Sequence, residues 1–252
     1  MIKVIILGSS NAIPVLGHEN TYLALVGKQR TVLVDCPSNP LVRLEKTGID
    51  YNEISDIVLT HFHPDHISGL PSFLMSMWLL GRQTPLTIYG LKHTIDRMES
   101  LMGFYDWKTW PNFFPIEFVT LPNKEGENVL TSDDFAVICS PVKHIIPTLG
   151  LRFESKKSGK LCAYSCDTEP CDAVIRLAQH ADILIHEASG EFFGHSSAFQ
   201  AGEIAQKAGV KSLLLIHYQT RDIDPTHLID EARQAFQGEV DLARDFAVID
   251  LN

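Results

Sequence analysis

The chain has 252 residues, 45% of them hydrophobic and 21% charged, a composition typical of a globular protein with a sizeable core. Its formal net charge of −10 argues against a protein that grips nucleic acid through many phosphate contacts, since such proteins usually carry a basic patch. Five irregularly spaced cysteines predict no disulfide framework and favour a reducing compartment, and therefore a cytoplasmic location. Because no stretch approaches about 18 unbroken apolar residues, we expect no spanning helix and no membrane partner.

Short apolar runs recur along the chain and predict strands. Many are rich in Val, Ile and Leu without strict alternation, as in sheets that are covered on both faces. The runs are Val4–Leu7, Tyr22–Val26, Thr31–Val34, Asp56–Thr60, Leu86–Tyr89, Ile116–Leu121, Phe135–Cys139, Leu149–Phe153, Leu161–Tyr164, Ile183–Ile185, Leu213–Ile216 and Phe246–Ile249.

Helical patterns interleave with these strands. Ser197 and Gln200 form a capping box, and the helix behind them should stop at Gly209. Pro225–Phe236 has a proline near its first position and a glycine after its end, and Pro71–Leu80 and Cys171–Ala181 are further predicted helices. The alternation predicts an α/β sandwich of sheets with helices outside, in a single domain over residues 1–252.

Four potential metal ligands crowd together directly behind the predicted strand Asp56–Thr60. They are His61, His63, Asp65 and His66. A loop at the carboxyl end of a strand is where open α/β sheets build their sites. Since side chains at i and i+2 of an extended stretch point the same way, His61 and His63 can face one metal, while the other two face a second. Imidazole and carboxylate ligands suit Zn²⁺, with Mn²⁺ or Fe as alternatives.

The run from His61 to His66 resembles the His-x-His-x-Asp-His signature of the metallo-β-lactamase superfamily. The similarity extends over nearly the whole chain and is greatest to the ribonuclease Z branch. The segments that carry it are 7–14, Asp35, 66–71, 88–90, 186–189 and 194–198. The resemblance implies the four-layer αββα sandwich of that superfamily and a dinuclear metal site.

The remaining ligands follow from the same resemblance. His144 resembles the third ligand of the first metal, Asp167 the bridging carboxylate and His217 the last ligand of the second metal, while Asp35 resembles the buried aspartate that orients the ligand loop. Some true β-lactamases use a cysteine where this branch has the bridging aspartate. The Asp-Thr step favours Asp167 as the ligand and Cys166 as a packing residue.

A dinuclear site implies a hydrolytic mechanism. A hydroxide shared by the two metals would be the nucleophile, because metal binding brings the pKa of water to about 7. His195 is the candidate general acid, since it precedes a helix and lies outside the ligand set. Glu187 is expected to hold its tautomer, and His186 to extend this hydrogen-bond relay. Asp65 is counted with the catalytic residues as well as with the ligands.

An aromatic segment over residues 103–114 is a candidate substrate-binding region. Its members include Phe104, Tyr105, Trp107 and Trp110. Such side chains can stack on a base or an aryl group. They can equally form a buried cap or a contact between subunits, and the resemblance implies that a homodimer is possible.

One departure from ribonuclease Z limits the functional expectation. Those enzymes carry a long arm that grips transfer RNA, whereas only 22 residues separate His144 from Asp167 here. The leading hypothesis is therefore a phosphodiesterase for a small or short single-stranded substrate. The alternatives are a transfer-RNA 3′-endonuclease with tRNA as a less favoured partner, a lactone, thioester or sulfate-ester hydrolase, and a metal-binding module without turnover.

Overall fold

The computed structural model describes residues 2–252, and the strands of this part of the chain form two seven-stranded sheets. Numbered β1 to β14 in chain order, the strands are Lys3–Gly8, Tyr22–Val26, Thr31–Val34, Ile54–Val58, Leu86–Leu91, Ile116–Leu121, Glu127–Thr131, Phe135–Val142, Thr148–Ser155, Leu161–Tyr164, Ile183–Glu187, Ser212–Ile216, Glu239–Leu242 and Val248–Asp250. The first sheet has the order β14-β1-β2-β3-β4-β5-β6, and the second β13-β12-β11-β10-β9-β8-β7.

Strand direction brings the functional ends together. In the first sheet β3, β4, β5 and β6 run parallel, and in the second β10, β11, β12 and β13 do. Strand β9 is antiparallel to both β8 and β10, so β8 points the same way as the parallel group of its sheet. The carboxyl ends of the strands in each parallel group therefore share one edge of the sheet.

Helices cover the outer face of each sheet. Numbered α1 to α7, they are Leu41–Thr47, Pro64–Ile67, Leu70–Leu79, Lys92–Gly103, Asp172–Leu177, Ala198–Ala208 and His227–Arg233, with single 3₁₀ turns at Tyr51–Glu53 and Trp107–Thr109. Alternate residues of β1 show the layering, because Val4 and Ile6 pack between the sheets whereas Ile5 and Leu7 pack under the helices. Apolar residues of α5 and α6 cover the second sheet. The predicted four-layer αββα sandwich is confirmed.

Most of the predicted elements are present, with shifted ends. The helix behind the Ser197–Gln200 capping box is confirmed, and Gly209 ends it with a left-handed φ of 65°. The helices predicted over Cys171–Ala181 and Pro225–Phe236 are shorter, at Asp172–Leu177 and His227–Arg233. Sequence reasoning missed α4 entirely, although its buried side chains keep helical spacing. It also missed α1 and α2 and the polar strands β7 and β13.

Within residues 2–252, no helix combines the length and the apolar character that crossing a bilayer requires.

Candidate metal centre

Every candidate ligand follows a strand at the edge where the parallel strands end. Residues 61–66 follow β4, His144 follows β8, Asp167 follows β10 and His217 follows β12. The two sheets face each other across the buried core, so the ends of β4 and of the second-sheet strands lie side by side. Seven side chains spread over more than 150 residues of sequence thus meet in one place.

Left-handed backbone conformations mark three of the strand ends. Asp35 follows β3 with a φ of 64°, Cys166 lies two residues beyond β10 with a φ of 53°, and His217 follows β12 with a φ of 55°. Such conformations are uncommon for residues other than glycine, and they cluster where function fixes the backbone. Each turns the chain sharply, so that the next side chains point along the edge instead of continuing the sheet.

Three imidazoles form the first group of candidate ligands. Nδ1 of His63 lies 3.0 Å from Nε2 of His61 and 3.1 Å from Nε2 of His144. The three rings stand nearly perpendicular to one another, with interplanar angles of 76° to 83°. Nitrogens that converge from perpendicular rings are arranged as metal ligands are, around a common point.

The second group combines two carboxylates with two imidazoles. Oδ2 of Asp167 lies 3.4 Å from Nε2 of His66 and 3.3 Å from Nε2 of His217. Oδ2 of Asp65 is 3.6 Å from the same nitrogen of His66. Asp167 also approaches the first group, since its Oδ2 is 3.9 Å from Nε2 of His61. One carboxylate therefore reaches both groups, which is the position of a bridging ligand.

The donor set fits divalent cations. Nε2 of His66 and Oδ1 of Asp167 are buried, and neither has a hydrogen-bond partner among residues 2–252. A buried polar atom without a partner is costly, and a cation between the two groups would satisfy both atoms. Within each group the ligand atoms lie no more than 4.8 Å apart, which suits a shared ion.

A buried carboxylate supports the ligands from behind. Oδ2 of Asp35 accepts a hydrogen bond of 2.9 Å from Nδ1 of His66 and one of 2.7 Å from Oγ1 of Thr60. Nδ1 of His61 in turn lies 3.1 Å from Oγ1 of Thr60. On the other side, Nδ1 of His144 donates to the carbonyl oxygen of Gly194 at 2.6 Å. These bonds fix each ring so that Nε2 points inward, as the outer partners of metal-bound histidines do.

Burial and neighbouring charge set the protonation of the ligands. Burial, reinforced by the charge of His66, holds the pKa of His61 well below its usual value, and burial with the charge of His144 lowers the pKa of His63. The neutral imidazole is the form that binds a cation. Burial opposes ionisation of Asp167, but the charges of His217 and His66 outweigh it and hold its pKa well below normal.

His195 lies beside both ligand groups but belongs to a different hydrogen-bond system. Its Nδ1 donates to Oε1 of Glu187 at 2.9 Å, and its ring centre is 5.0 Å from that of His144. Buried Glu187 is itself held by the backbone amides of Thr168 and Ser189, both at 3.0 Å. Burial alone would lower the pKa of His195, but the hydrogen bond and charge of Glu187 raise it.

His186 does not join this relay, contrary to the sequence expectation. Side chains alternate along β11, so His186 faces the helices with Leu184, while Glu187 faces the space between the sheets with Ile185. The only hydrogen bond of the His186 ring within residues 2–252 goes from Nδ1 to the backbone carbonyl of Glu187, at 2.8 Å.

Cys166 lies close to the ligands without replacing Asp167. Its Sγ is 3.7 Å from Nδ1 of His61, the ring nitrogen that points away from the first ligand group. The side chain is buried among the apolar residues between the sheets, and burial holds its thiol pKa well above normal. This environment agrees with the packing role expected for Cys166, while Asp167 faces both groups.

The aromatic segment lies at the opposite edge of the sheet from the site, so the fold of this chain does not bring Phe104, Tyr105, Trp107 and Trp110 to the ligand groups. The segment connects the end of α4 to the start of β6 and therefore lies at the amino-terminal edge of the sheet. Trp110 stacks on Trp78 at 5.0 Å, and Trp107 packs edge-on against Phe113 and Phe118. Aromatic density here serves packing, with Phe104 and Tyr105 left exposed.

A cleft of about 270 Å³ opens over the ligand groups. Sequence reasoning found part of its lining and missed the rest. The missed residues are Asn11, Ala12, Ser189, Phe192 and Gln219. Ser189 and Phe192 belong to the loop 188–197 between β11 and α6, which also carries His195.

Comparison with known proteins agrees with this geometry. Residues 2–238 match the sequence profile of a family described as Anti-Pycsar protein Apyc1. The chain belongs to this family. Within the metallo-β-lactamase superfamily it is similar to a ribonuclease Z of Methanothermobacter thermautotrophicus, with 30% identity over 306 aligned positions that cover 100% of this chain and 97% of the relative. The predicted membership of the ribonuclease Z-like branch is confirmed.

Two solved structures of the superfamily share the fold over their full length. The metallo-β-lactamase fold protein YhfI of Bacillus subtilis superposes with a TM-score of 0.84 at 23% identity, covering 98% of each chain. The short form of human tRNase Z superposes with a TM-score of 0.78 at 26% identity, covering 99% of each. The chain is a metal-dependent hydrolase, the metallo-β-lactamase fold implies divalent metal ions, and the two ligand groups are clusters of residues that could hold them.

The segment between His144 and Asp167 is a plain hairpin. Strands β9 and β10 pair antiparallel, and only residues 156–160 join them. The alignment with the archaeal ribonuclease Z spans 306 positions, more than the 252 residues of this chain, so the relative contains segments that this chain lacks. No long arm projects from this part of the described chain.

Proposed function

We propose that this metallo-β-lactamase-fold protein is a dinuclear-metal phosphodiesterase for small or short single-stranded phosphodiesters, with His195 as the general acid. The observation that carries the proposal is the His195–Glu187 pair. It lies at the cleft, outside both ligand groups, and its 2.9 Å hydrogen bond uses Nδ1. The other ring nitrogen, Nε2, remains to give a proton to the oxygen that leaves phosphorus.

The ligand groups would hold the metal ions. His61, His63 and His144 would hold one cation, Asp65, His66 and His217 would hold the other, and Asp167 would be shared between them. Bound divalent cations supply Lewis acidity and lower the pKa of a bound water, which makes hydrolysis possible near neutral pH. The imidazole and carboxylate donors favour Zn²⁺, with Mn²⁺ or Fe as alternatives.

Glu187 influences both the pKa and the orientation of the His195 ring. Its charge raises the pKa of His195, so the imidazolium persists to higher pH than in a free histidine. Its hydrogen bond to Nδ1 also fixes the ring against rotation, because Glu187 is anchored by two backbone amides. A fixed, protonated imidazole at the cleft is suited to a poor leaving group such as an alkoxide.

The dimensions of the cleft favour a small substrate. Its volume of about 270 Å³ falls just below the range of small-molecule sites, which span roughly 300–1,000 Å³. The short hairpin between His144 and Asp167 has only residues 156–160 between its strands and so lacks a long arm of the kind expected to grip transfer RNA. The archaeal relative is named ribonuclease Z, which supports phosphodiester chemistry and makes transfer-RNA 3′ cleavage the second candidate.

A parallel rate panel tests the proposal. Metal-loaded protein is assayed on bis-p-nitrophenyl phosphate, cyclic nucleotides, a lactone, a thioester, a sulfate ester and precursor transfer RNA. We expect hydrolysis of the small phosphodiesters, loss of it with a chelator, and recovery with Zn²⁺ or Mn²⁺.

Three outcomes would overturn the proposal. Faster turnover of the lactone, thioester or sulfate ester would assign the site to another ester class. Faster cleavage of precursor transfer RNA would favour the endonuclease. No turnover of any substrate by protein with a full metal complement would indicate a binding module.

A further inference from the structure

We infer that Phe192 is a specificity-determining residue that stacks on a flat ring attached to the phosphorus group bound in the cleft. This inference rests on the proposed function and deepens it. Phe192 lines the cleft together with His63, Asp167 and His195, yet 65% of its surface is exposed. A large apolar side chain left open beside a reactive centre is available to a ligand.

Backbone hydrogen bonds within the loop 188–197 hold the main chain of Phe192 in a defined place. The amide of Phe192 donates to the carbonyl of Gly190 at 2.9 Å, and the amide of His195 donates to the carbonyl of Phe192 at 3.0 Å. The amide of Gly190 is bonded in turn to the carbonyl of Ser196 at 3.0 Å. The backbone of Phe192 and that of His195, the candidate general acid, therefore belong to one hydrogen-bonded turn.

Gly190 makes room for the ring. A Cβ atom at this position would lie 2.5 Å from Cε2 of Phe192, closer than real contacts allow. The φ of Gly190 is also 124°, which L side chains rarely adopt. The close approach means that the face of Gly190 supports one edge of the Phe192 ring. The ring therefore lies against the turn at Gly190, with most of its surface open.

A planar ring is the ligand chemistry that this arrangement favours. Among residues 2–252, no other aromatic ring pairs with Phe192, so its face is free to stack. Stacking between an aromatic side chain and a base or aryl group contributes about 1–3 kcal/mol by alanine substitution. The neighbouring Phe193 is 78% exposed but lies outside the cleft lining, so it provides a matched control.

Two phosphonates test the inference, because their phosphorus–carbon bonds are not hydrolysed. Phenylphosphonate and methylphosphonate are titrated calorimetrically into metal-loaded wild-type protein and into the variants Phe192→Ala and Phe193→Ala. We expect wild-type protein to prefer phenylphosphonate by about tenfold. We expect Phe192→Ala to reduce that preference to about twofold or less, with methylphosphonate affinity kept, and Phe193→Ala to retain it.

A second variant guards against an indirect effect. Phe192→Leu keeps an apolar side chain but removes the planar face, so it should also lower the phenyl preference while bound metal stays unchanged. The inference is wrong if Phe192→Ala retains the wild-type preference, or if Phe193→Ala loses it equally. Phosphodiester turnover, measured on the same samples, separates the two proposals. If no phosphodiester is turned over but the preference for phenylphosphonate is intact, the proposed function is wrong and the role inferred for Phe192 still holds.

Discussion

Two regions of this molecule display aromatic side chains, at opposite edges of the sandwich. The segment 103–114 contains a dense run of aromatic residues and lies at the amino-terminal edge of the first sheet. There Trp110 stacks on Trp78 of α3, and both Trp107 and Trp110 pack edge-on against Phe113. The loop 188–197 has only Phe192 and Phe193 and lies at the carboxyl-terminal edge beside the ligand groups. Position relative to strand ends, and not aromatic density, separates the functional region from the packing region.

The contrast has a physical basis. Parallel strands gather their carboxyl ends at one edge, so residues that follow strands converge there whatever their spacing in sequence. Aromatic residues that pack together can satisfy one another by edge-on and stacked contacts, as Trp110, Trp78 and Phe113 do. Substitutions in the loop should therefore lower the catalytic rate, whereas substitutions in the segment should lower the free energy of unfolding.

The largest effect is expected from removing the proton donor of the loop. His195→Ala should lower kcat by about 10²–10⁴-fold on phosphodiesters with poor leaving groups, and much less with p-nitrophenolate, which needs no proton. Steady-state rates on both substrate types measure this split. The matched control is His180→Asn, an exposed position at the opposite edge whose φ of 56° asparagine tolerates. Equal rates of His195→Ala and wild type on poor leaving groups would refute the assignment.

A smaller effect concerns pH. Because Glu187 raises the pKa of His195, the protonated acid survives to higher pH, and kcat/KM should fall as pH rises through that raised pKa. Glu187→Gln keeps a hydrogen-bonding side chain but removes the charge, so the alkaline limb should move to lower pH. The pH profile of kcat/KM on a poor leaving group measures the shift. An alkaline limb that stays in place in Glu187→Gln would show that another group sets it.

The smallest catalytic effect is expected in the aromatic segment. Trp110→Leu removes a stacked ring 5.0 Å from Trp78, so the free energy of unfolding should fall by about 1–2 kcal/mol. The kcat/KM for a small phosphodiester should stay within about twofold of wild type, since the segment lies at the far edge of the sheet. Denaturant unfolding and steady-state kinetics on the same preparation test both statements. A large loss of activity with unchanged stability would reverse the roles of the two regions.

Much of the site could be predicted from the sequence because its signals are local. Residues 61–66 stand directly behind a strand, and each remaining ligand follows another strand. The role expected for His186 was wrong because neighbours on a strand face opposite sides, and an alternation argument applied to β11 would have separated it from Glu187.

Other features depend on tertiary structure and left no readable pattern. Phe192 is placed at the cleft by a turn whose bonds join Gly190, Ser196 and His195, and no periodicity reports such a turn. The location of the aromatic segment followed from α4, which runs back along β5 and was missed in the sequence. That helix returns the chain to the amino-terminal edge of the sheet. Without it, the sequence did not show on which edge the segment lies.

The central claim is that seven side chains hold two divalent cations, and metal analysis tests it most directly. Protein saturated with Zn²⁺ and freed of excess by gel filtration is analysed by inductively coupled plasma mass spectrometry, beside His217→Ala. We expect two ions per chain in the wild type and at most one in the variant, because His217 belongs to only one ligand group. Wild-type protein without bound metal, or two ions retained in His217→Ala, would contradict the account.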